Sequence, residues 1–159
     1  MIRIQIVTNQ LNPISAAIRF TTRSWASHAE FYNSADNTTL GARADGVKIR
    51  DAAKDKYSRI EQFTAAGVEK AYEYAKTQIG KPYDYSAILG TVLNRKWHDE
   101  SRWFCSELVI VSFEKVGYPI LSTRPSAAVW RITPRDILLS RSIDYLPTVY
   151  VRLFSGICG

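Results

Sequence analysis

The segment Trp103–Gly117 reads W-F-C-S-E-L-V-I-V-S-F-E-K-V-G and is apolar for most of its length. Its side chains recur at helical spacing, and Gly117 is a suitable residue to end a helix. The recurring positions are Leu108, Val109, Ser112, Phe113 and Val116. Because a helix with so little polar surface has to be buried, the remainder of the chain must fold around it.

Cys105 falls in the first turn of this predicted helix. Unpaired N–H groups and the positive end of the helix dipole stabilise the thiolate form of a cysteine at that position, and the thiolate is the nucleophilic form. A small buried residue that happens to begin a helix is the alternative interpretation. Position does not decide between the two, so a nucleophile requires a base elsewhere in the chain.

The length of 159 residues predicts a single domain spanning residues 1–159. Hydrophobic residues make up 46% of the chain and charged residues 23%, which are globular values. The formal net charge is +6, but the basic residues are scattered and no nucleic-acid-binding motif is present. We therefore expect a solvated basic surface, with a general affinity for acidic polymers as the alternative, and no specific nucleic-acid partner.

The two cysteines, Cys105 and Cys158, are too few for a disulfide framework, although one bridge between them is conceivable. Residues 1–9 lack the features of a secretory signal, and no run reaches transmembrane length. These features predict a protein that is cytoplasmic as synthesised, with a free thiol. Delivery on a virion or release on lysis would be needed to reach a cell wall.

Short alternating segments predict strands in the first half of the chain, and longer apolar periods predict helices in the second. The predicted strands are Arg3–Thr8, Ser27–Tyr32, Thr38–Ala42, Val47–Arg50, Ser58–Thr64 and Thr148–Phe154. The predicted helices are one capped by Asn12 with an Ile14, Ala17 and Ile18 stripe, then Val68–Ile79, Tyr85–Leu93, the Cys105 helix and Pro134–Leu139. This order indicates an α+β domain.

His28 and Glu30 lie two residues apart in a predicted strand, so their side chains point to the same face of the sheet. A carboxylate beside the imidazole can orient the ring and favour its charged form, as in a nucleophile–base–orienter set. A structural histidine in a strand is the alternative. The interpretation as a base depends on His28 meeting Cys105 in the folded chain.

The letters H-A-E at residues 28–30 also match one half of the zinc deaminase signature. The other half, P-C-x-x-C, is absent, and His98 lies in a charged segment without helpful ligand spacing. The sequence therefore favours the thiolate over a metal site, and we expect neither a metal nor another cofactor.

Four motifs together resemble the circularly permuted branch of the NlpC-type papain-like superfamily, which includes YiiX/YebB-like proteins and, more remotely, lecithin:retinol acyltransferase-like enzymes. They are S-H-A-E-F-Y, L-G-A-R-A-D-G-V-K-I-R, I-G-K-P-Y-D-Y and W-F-C-S-E-L-V. The histidine precedes the cysteine in this branch, the reverse of papain, and the sequence has that order. The resemblance implies a papain-like fold in which the cysteine helix packs on an antiparallel sheet.

The resemblance also implies roles for individual residues. Cys105 matches the nucleophile and His28 the general base. Family members usually carry the third polar residue on the next strand, where this chain has Gly41. We therefore hypothesise that Glu30 supplies the carboxylate from the histidine strand instead.

Three further residues belong to the matching motifs and are expected to bind substrate: Tyr83, Asp84 and Trp103. Packing and capping at a helix start is the alternative role for Tyr83 and Asp84.

The function that these features predict is a cysteine hydrolase of amide bonds, acting through a thioacyl intermediate on peptides such as those of peptidoglycan. Transfer or hydrolysis of lipid acyl groups is one alternative, because fold does not fix chemistry. A non-catalytic peptide-binding module is another, favoured by the missing acid at Gly41. The sequence does not indicate an oligomeric state.

Overall fold

The computed structural model describes residues 1–85, 101–121 and 132–146. In chain order the strands are β1 (Ile2–Thr8), β2 (His28–Asn33), β3 (Thr38–Arg43), β4 (Gly46–Asp51), β5 (Arg59–Thr64) and β6 (Asp144–Leu146). The α-helices are α1 (Pro13–Thr22), α2 (Val68–Lys76), α3 (Cys105–Lys115) and α4 (Pro134–Leu138), and a 3₁₀ turn spans Ala52–Lys54.

The strands form one antiparallel sheet in the order β4-β3-β2-β1-β5-β6. The strand β1 therefore lies inside the sheet, between β2 and β5, and the hairpins β2–β3 and β3–β4 extend it on one side. This arrangement confirms the predicted α+β class with an antiparallel sheet.

The apolar side of β2 packs against the helix that begins at Cys105. The ring of Phe31 stacks on Phe113 of α3 at 6.1 Å between centroids and meets Tyr72 of α2 edge-on at 6.0 Å. Phe31 and Phe113 are fully buried, as are Leu108 and Val109 of α3. The helix is therefore the central packing element, as its apolar composition predicted.

The structure corrects the predicted buried face of α1. Asn12 caps this helix by accepting hydrogen bonds from the N–H groups of residues 14 and 15, and Pro13 is its first residue, as predicted. However, Ile14 and Ala17 are exposed, and the buried positions are Ser15, Ile18 and Thr22. Polar side chains are buried on α1 because the hydroxyl of Ser15 hydrogen-bonds Ser27, and that of Thr22 donates to the Ile18 carbonyl.

The helix α2 ends at Lys76, three residues before the predicted boundary, so Ile79 is not on its buried face and is 46% exposed. The pairing of β6 with β5 was not predicted, because three residues are too few to show a period. The predicted helix over 85–93, apart from Tyr85, and the predicted strand over 148–154 lie outside the described residues.

The segment after α2 docks on the start of β4 and so brings Tyr83 towards β2 and β3. The Val47 N–H donates to the Lys81 carbonyl at 2.9 Å, and the Gly80 N–H donates to the Val47 carbonyl at 3.0 Å. Gly46, at φ +92°, allows this approach, because a Cβ there would lie 2.7 Å from the Lys81 oxygen. Tyr83 then pairs with Trp103 in a parallel bridge just before α3.

In the described part of the chain, no helix has the length and apolar character needed to cross a bilayer.

Candidate active site

Cys105 is the first residue of α3 and is a free, fully buried thiol. Its N–H has no partner within the helix, because the first turn of any α-helix leaves its N–H groups unpaired. Glu107 accepts the N–H of Phe104 at 3.3 Å and so fixes the start of the helix. The sulfur is therefore held at the positive end of the helix dipole.

His28 hydrogen-bonds Glu30 and interacts electrostatically with Cys105. Its Nε2 lies 3.1 Å from Glu30 Oε2, so Nδ1 is the ring nitrogen that Glu30 does not engage. By alternation along β2, His28 and Glu30 lie on the face opposite Phe31, which packs on α3. His28 is the first residue of β2, and it interacts electrostatically with Cys105, the first residue of α3.

The surroundings of His28 favour the imidazolium. Burial lowers the pKa of His28, but attraction to Cys105 and Glu30, together with its hydrogen bond to Glu30, outweighs burial and raises the pKa from 6.5 to about 9. The side chain is 17% exposed, so part of the ring faces solvent. The arrangement thus places an imidazole that favours its charged form beside Cys105, with the Glu30 carboxylate behind the ring.

Glu30 is fully buried, and donors surround both of its carboxylate oxygens. Oε2 accepts from His28 and from Arg43, whose Nη2 and Nε lie at 2.8 and 3.2 Å. Oε1 accepts from the Tyr57 hydroxyl at 2.9 Å and from Gln5 at 3.3 Å. The carboxylate is therefore fixed in orientation.

The same contacts keep Glu30 ionised. Burial raises the pKa of this carboxyl, but His28 and then Arg43 outweigh burial and lower the pKa from 4.5 to about 2. A buried carboxylate surrounded in this way accepts hydrogen bonds but does not take up a proton at neutral pH.

Gly41 provides the space that Glu30 occupies. A Cβ built on Gly41 would lie 2.7 Å from Glu30 Cβ and 3.2 Å from Glu30 Oε2. Any side chain at residue 41 would therefore collide with Glu30 in its present position. The glycine on β3 and the acid on β2 therefore go together, because the space that a side chain at residue 41 would fill is taken by Glu30.

Arg43, Asp55 and Tyr57 belong to the site, and sequence reasoning missed all three. Arg43 binds Asp55 through two hydrogen bonds of 2.6 and 2.8 Å, and its guanidinium lies 5.6 Å from the centre of the Tyr57 ring. The alternation of Thr39, Gly41 and Arg43 along β3 could have identified Arg43 as a site residue, because it places this arginine on the face that holds Glu30. Asp55 and Tyr57 come from the segment between β4 and β5, which has no period to read.

A cleft of about 500 Å³ opens beside this cluster, and His28, Arg43, Asp55, Tyr57 and Tyr83 contribute to its wall. Tyr83 is 8% exposed, and burial together with the neighbouring Cys105 raises its pKa. Cys105 does not itself line the cleft.

Asp84 and Trp103 are buried, and the Asp84 N–H donates to the Trp103 carbonyl at 3.0 Å. Neither lines the cleft, and their predicted role in substrate binding stays a prediction. His98 and Cys158 lie outside the described residues.

Two comparisons, with protein-family models and with curated proteins, find no match. Among solved structures the fold is similar to that of YiiX from Escherichia coli O157:H7, with a TM-score of 0.66 at 16% sequence identity. The similarity covers 91% of this chain and 94% of YiiX, which is described as a metalloprotein. Within the described residues of this chain, no group of three or more His, Cys, Asp or Glu side chains could hold a metal ion. The chain therefore has a YiiX-like fold, and its candidate site is a cysteine–histidine–carboxylate cluster.

Proposed function

We propose that the protein is a cysteine hydrolase of amide bonds, with Cys105 as nucleophile, His28 as general base and acid, and Glu30 as the residue that orients His28. The observation that carries the proposal is the grouping of Cys105, His28 and Glu30: His28 lies 3.1 Å from Glu30 and interacts electrostatically with Cys105 at the start of α3. The resemblance of the four sequence motifs to permuted papain-like enzymes, together with the YiiX-like fold, supports it.

In the first half of the reaction, His28 takes the proton of the Cys105 thiol and the thiolate attacks the substrate carbonyl carbon. A C–S bond forms, and the oxyanion accepts a hydrogen bond from the Cys105 N–H at the start of α3. The C–N bond then breaks, and His28 gives its proton to the leaving amine, which leaves a thioester on Cys105.

In the second half, His28 takes a proton from water, and the resulting hydroxide attacks the thioester carbonyl. The C–S bond breaks, the carboxylic acid leaves, and the proton on His28 restores the starting pair. Glu30 stays ionised throughout, because its role is to hold the ring and stabilise the imidazolium.

The cleft supports a peptide-like substrate. Most of the described residues that line it are polar or charged, including Asn9, Asn12, Ser15 and Ser27 near His28. Lys54 and Lys56 add positive charge at its wall, and Asp45 and Asp55 add negative charge. These polar and charged groups offer partners for the amide groups and carboxylates of a peptide, including a cell-wall peptide.

Access to the sulfur requires a movement, because Cys105 is fully buried while His28 and Tyr83 line the cleft. A carbonyl carbon therefore reaches the sulfur only after side chains between the cleft and Cys105 move. Labelling should consequently depend on reagent size as well as on pH.

The test compares thiolate absorbance in the ultraviolet and alkylation by iodoacetamide, with Cys158→Ser as the background so that Cys105 is the one remaining thiol. We expect a thiolate absorbance signal at mildly acidic pH that Cys105→Ser removes. We also expect a bulky maleimide to alkylate Cys105 more slowly than iodoacetamide does. An ordinary thiol titration, with its midpoint near pH 8.5, would contradict the proposal.

Turnover is tested on peptidoglycan-derived peptides and on long-chain acyl esters. Release of a new amine from the peptides, abolished by Cys105→Ser with the fold retained, is the expected result. Covalent capture of a long acyl chain instead would identify an acyltransferase. Tight peptide binding without a thiolate signal would identify a binding module.

A further inference from the structure

We propose that Arg43 is a positioning residue for the Cys105–His28 pair: it fixes the Glu30 carboxylate against His28 and offsets the negative charge of that carboxylate. This inference rests on the proposed function, and neither the sequence motifs nor the YiiX-like fold assigns it.

The first step is geometric. Arg43 and His28 share one oxygen of Glu30, Oε2, while Tyr57 and Gln5 occupy the other. Removing Arg43 would leave Oε2 with His28 as its one partner among the described residues, so that oxygen would be held less firmly against the ring. The orientation of the imidazole depends on that oxygen staying in place.

The second step concerns what holds Arg43. Its guanidinium makes two hydrogen bonds to Asp55, at 2.6 and 2.8 Å, and one to the Thr39 hydroxyl at 3.1 Å. The guanidinium donates to both Glu30 and Asp55 and so places one positive charge between the two carboxylates. The side chain is 23% exposed, so the bridge is largely shielded from solvent.

The third step is electrostatic. Charges alternate along the cluster: His28 positive, Glu30 negative, Arg43 positive and Asp55 negative. An isolated carboxylate behind His28 would favour the imidazolium but would also repel a thiolate on Cys105. With Arg43 beside it, Glu30 orients the ring while its repulsion of the thiolate is reduced.

The charged and titratable groups around Glu30 and His28 come from several elements. These are Arg43 on β3, Asp55 and Tyr57 on the β4–β5 connection, and Cys105 on α3, with the uncharged Gln5 on β1. Tyr83 lies beside Cys105 and is the further titratable group there among the described residues. Removing Arg43 takes away a positive charge, whereas removing Asp55 takes away a negative one. Both substitutions break the same ion pair.

Because the two substitutions break the same ion pair but remove opposite charges, comparing them separates the effect of charge from the loss of the pair. In the Cys158→Ser background, we expect Arg43→Gln to move the acid limb of the Cys105 thiolate titration to higher pH by about one unit, with about tenfold slower alkylation at mildly acidic pH. Asp55→Asn should move the limb in the opposite direction, or leave it in place, because Arg43 then acts on Glu30 alone. Arg43→Lys, which keeps the charge, should recover most of the wild-type profile.

The matched control is Arg50→Gln. Arg50 is a partly buried arginine on the neighbouring strand that pairs with Asp45, donates to the Gly41 carbonyl at 3.0 Å and forms no hydrogen bond with Glu30. Its substitution should leave the titration unchanged.

The outcomes separate the two proposals. Shifts in the same direction for Arg43→Gln and Asp55→Asn, or no shift for either, would reduce Arg43 to a structural ion pair and overturn the inference. If Arg43→Gln does not fold, Arg43→Lys and Asp55→Asn still decide, because the lysine variant must stay near wild type. Absence of a low-pH thiolate in the parent protein would instead defeat the proposed function itself.

Discussion

The two faces of β2 differ in how their side chains are held. On one face, Ala29 and Phe31 are fully buried among apolar groups, and Phe31 packs on α2 and α3. On the other, Glu30 is just as buried but is held by hydrogen bonds to four side chains. Apolar packing is non-directional and tolerates many sequences, whereas the polar face requires particular partners at particular distances. Substitutions on the first face should therefore change stability alone, whereas substitutions on the second should also change the chemistry of Cys105.

The largest effect is expected from His28→Gln. Without the imidazolium, the thiolate of Cys105 loses its counter-charge, and alkylation at mildly acidic pH should fall by about 10³-fold. Thermal stability should also fall at neutral pH, because the charged ring contributes to it. His98→Gln, which alters the other histidine of the chain, is the control and should alkylate at the parent rate. Equal rates for the parent and His28→Gln would remove His28 from the mechanism.

The apolar face is tested with Phe31→Ala. This change opens a cavity between Phe113 and Tyr72 and should lower the free energy of unfolding by about 3–5 kcal/mol. The melting temperature should fall by roughly 10 °C, while alkylation of the still-folded protein stays within a few-fold of the parent. Tyr32→Ala, on the polar face and bonded at its exposed hydroxyl to Asn37, should cost much less stability. A large loss of alkylation in folded Phe31→Ala would break the division between the faces.

Glu30→Gln should alter how stability depends on pH. The pKa of Glu30 is lowered from 4.5 to about 2, so its contribution to stability is present above pH 4.5 and is lost as the pH falls towards 2. That contribution is on the order of 3 kcal/mol, and it should disappear from the acid-unfolding curve of Glu30→Gln. An unchanged acid-unfolding curve would show that the carboxylate is not held as described.

Glu30→Gln should also change how stability depends on pH in the alkaline range. The raised pKa of His28 means that the stability from its charged form is present below pH 6.5 and is lost as the pH rises through about 9. Removing the charge of Glu30 should lower that upper value, which NMR titration of the His28 ring would measure.

The smallest effect is expected when the acid is moved between strands. Glu30→Gly should slow alkylation at mildly acidic pH, and adding Gly41→Glu should recover a few-fold of the loss, because residue 41 faces the position that the Glu30 side chain vacates. Gly41→Glu alone should destabilise the protein, since a Cβ there collides with Glu30. No recovery in the double variant would show that the β3 position cannot orient His28 in this chain.

The sequence predicts the apolar side of the molecule well, because burial there follows a period. The helix from Cys105, the Asn12 cap, and the strands around His28 are all found close to their predicted bounds. The misplacements have local causes. On α1, Ile14 and Ala17 are exposed, and the buried face instead includes Ser15 and Thr22, whose hydroxyls form hydrogen bonds. The strand β6 has three residues, which are too few to show a period.

The candidate site could be predicted only in part. The two-residue separation of His28 and Glu30 predicts that they pair, and the start of the predicted helix gives the position of Cys105. The links to Arg43, Asp55 and Tyr57 join segments whose relative placement depends on strand pairing, and no spacing along the chain encodes those distances. The role of each residue in turnover stays a prediction that the experiments above address.

Full burial of the Cys105 sulfur also affects how readily this residue is oxidised. A thiolate in an open groove is readily converted to sulfenic acid and then to irreversible higher oxides, and the rate depends on whether peroxide can touch the sulfur. Here that atom is enclosed at rest, so peroxide, like iodoacetamide, should reach it only when the surrounding side chains move, and oxidation of the resting protein should be slow.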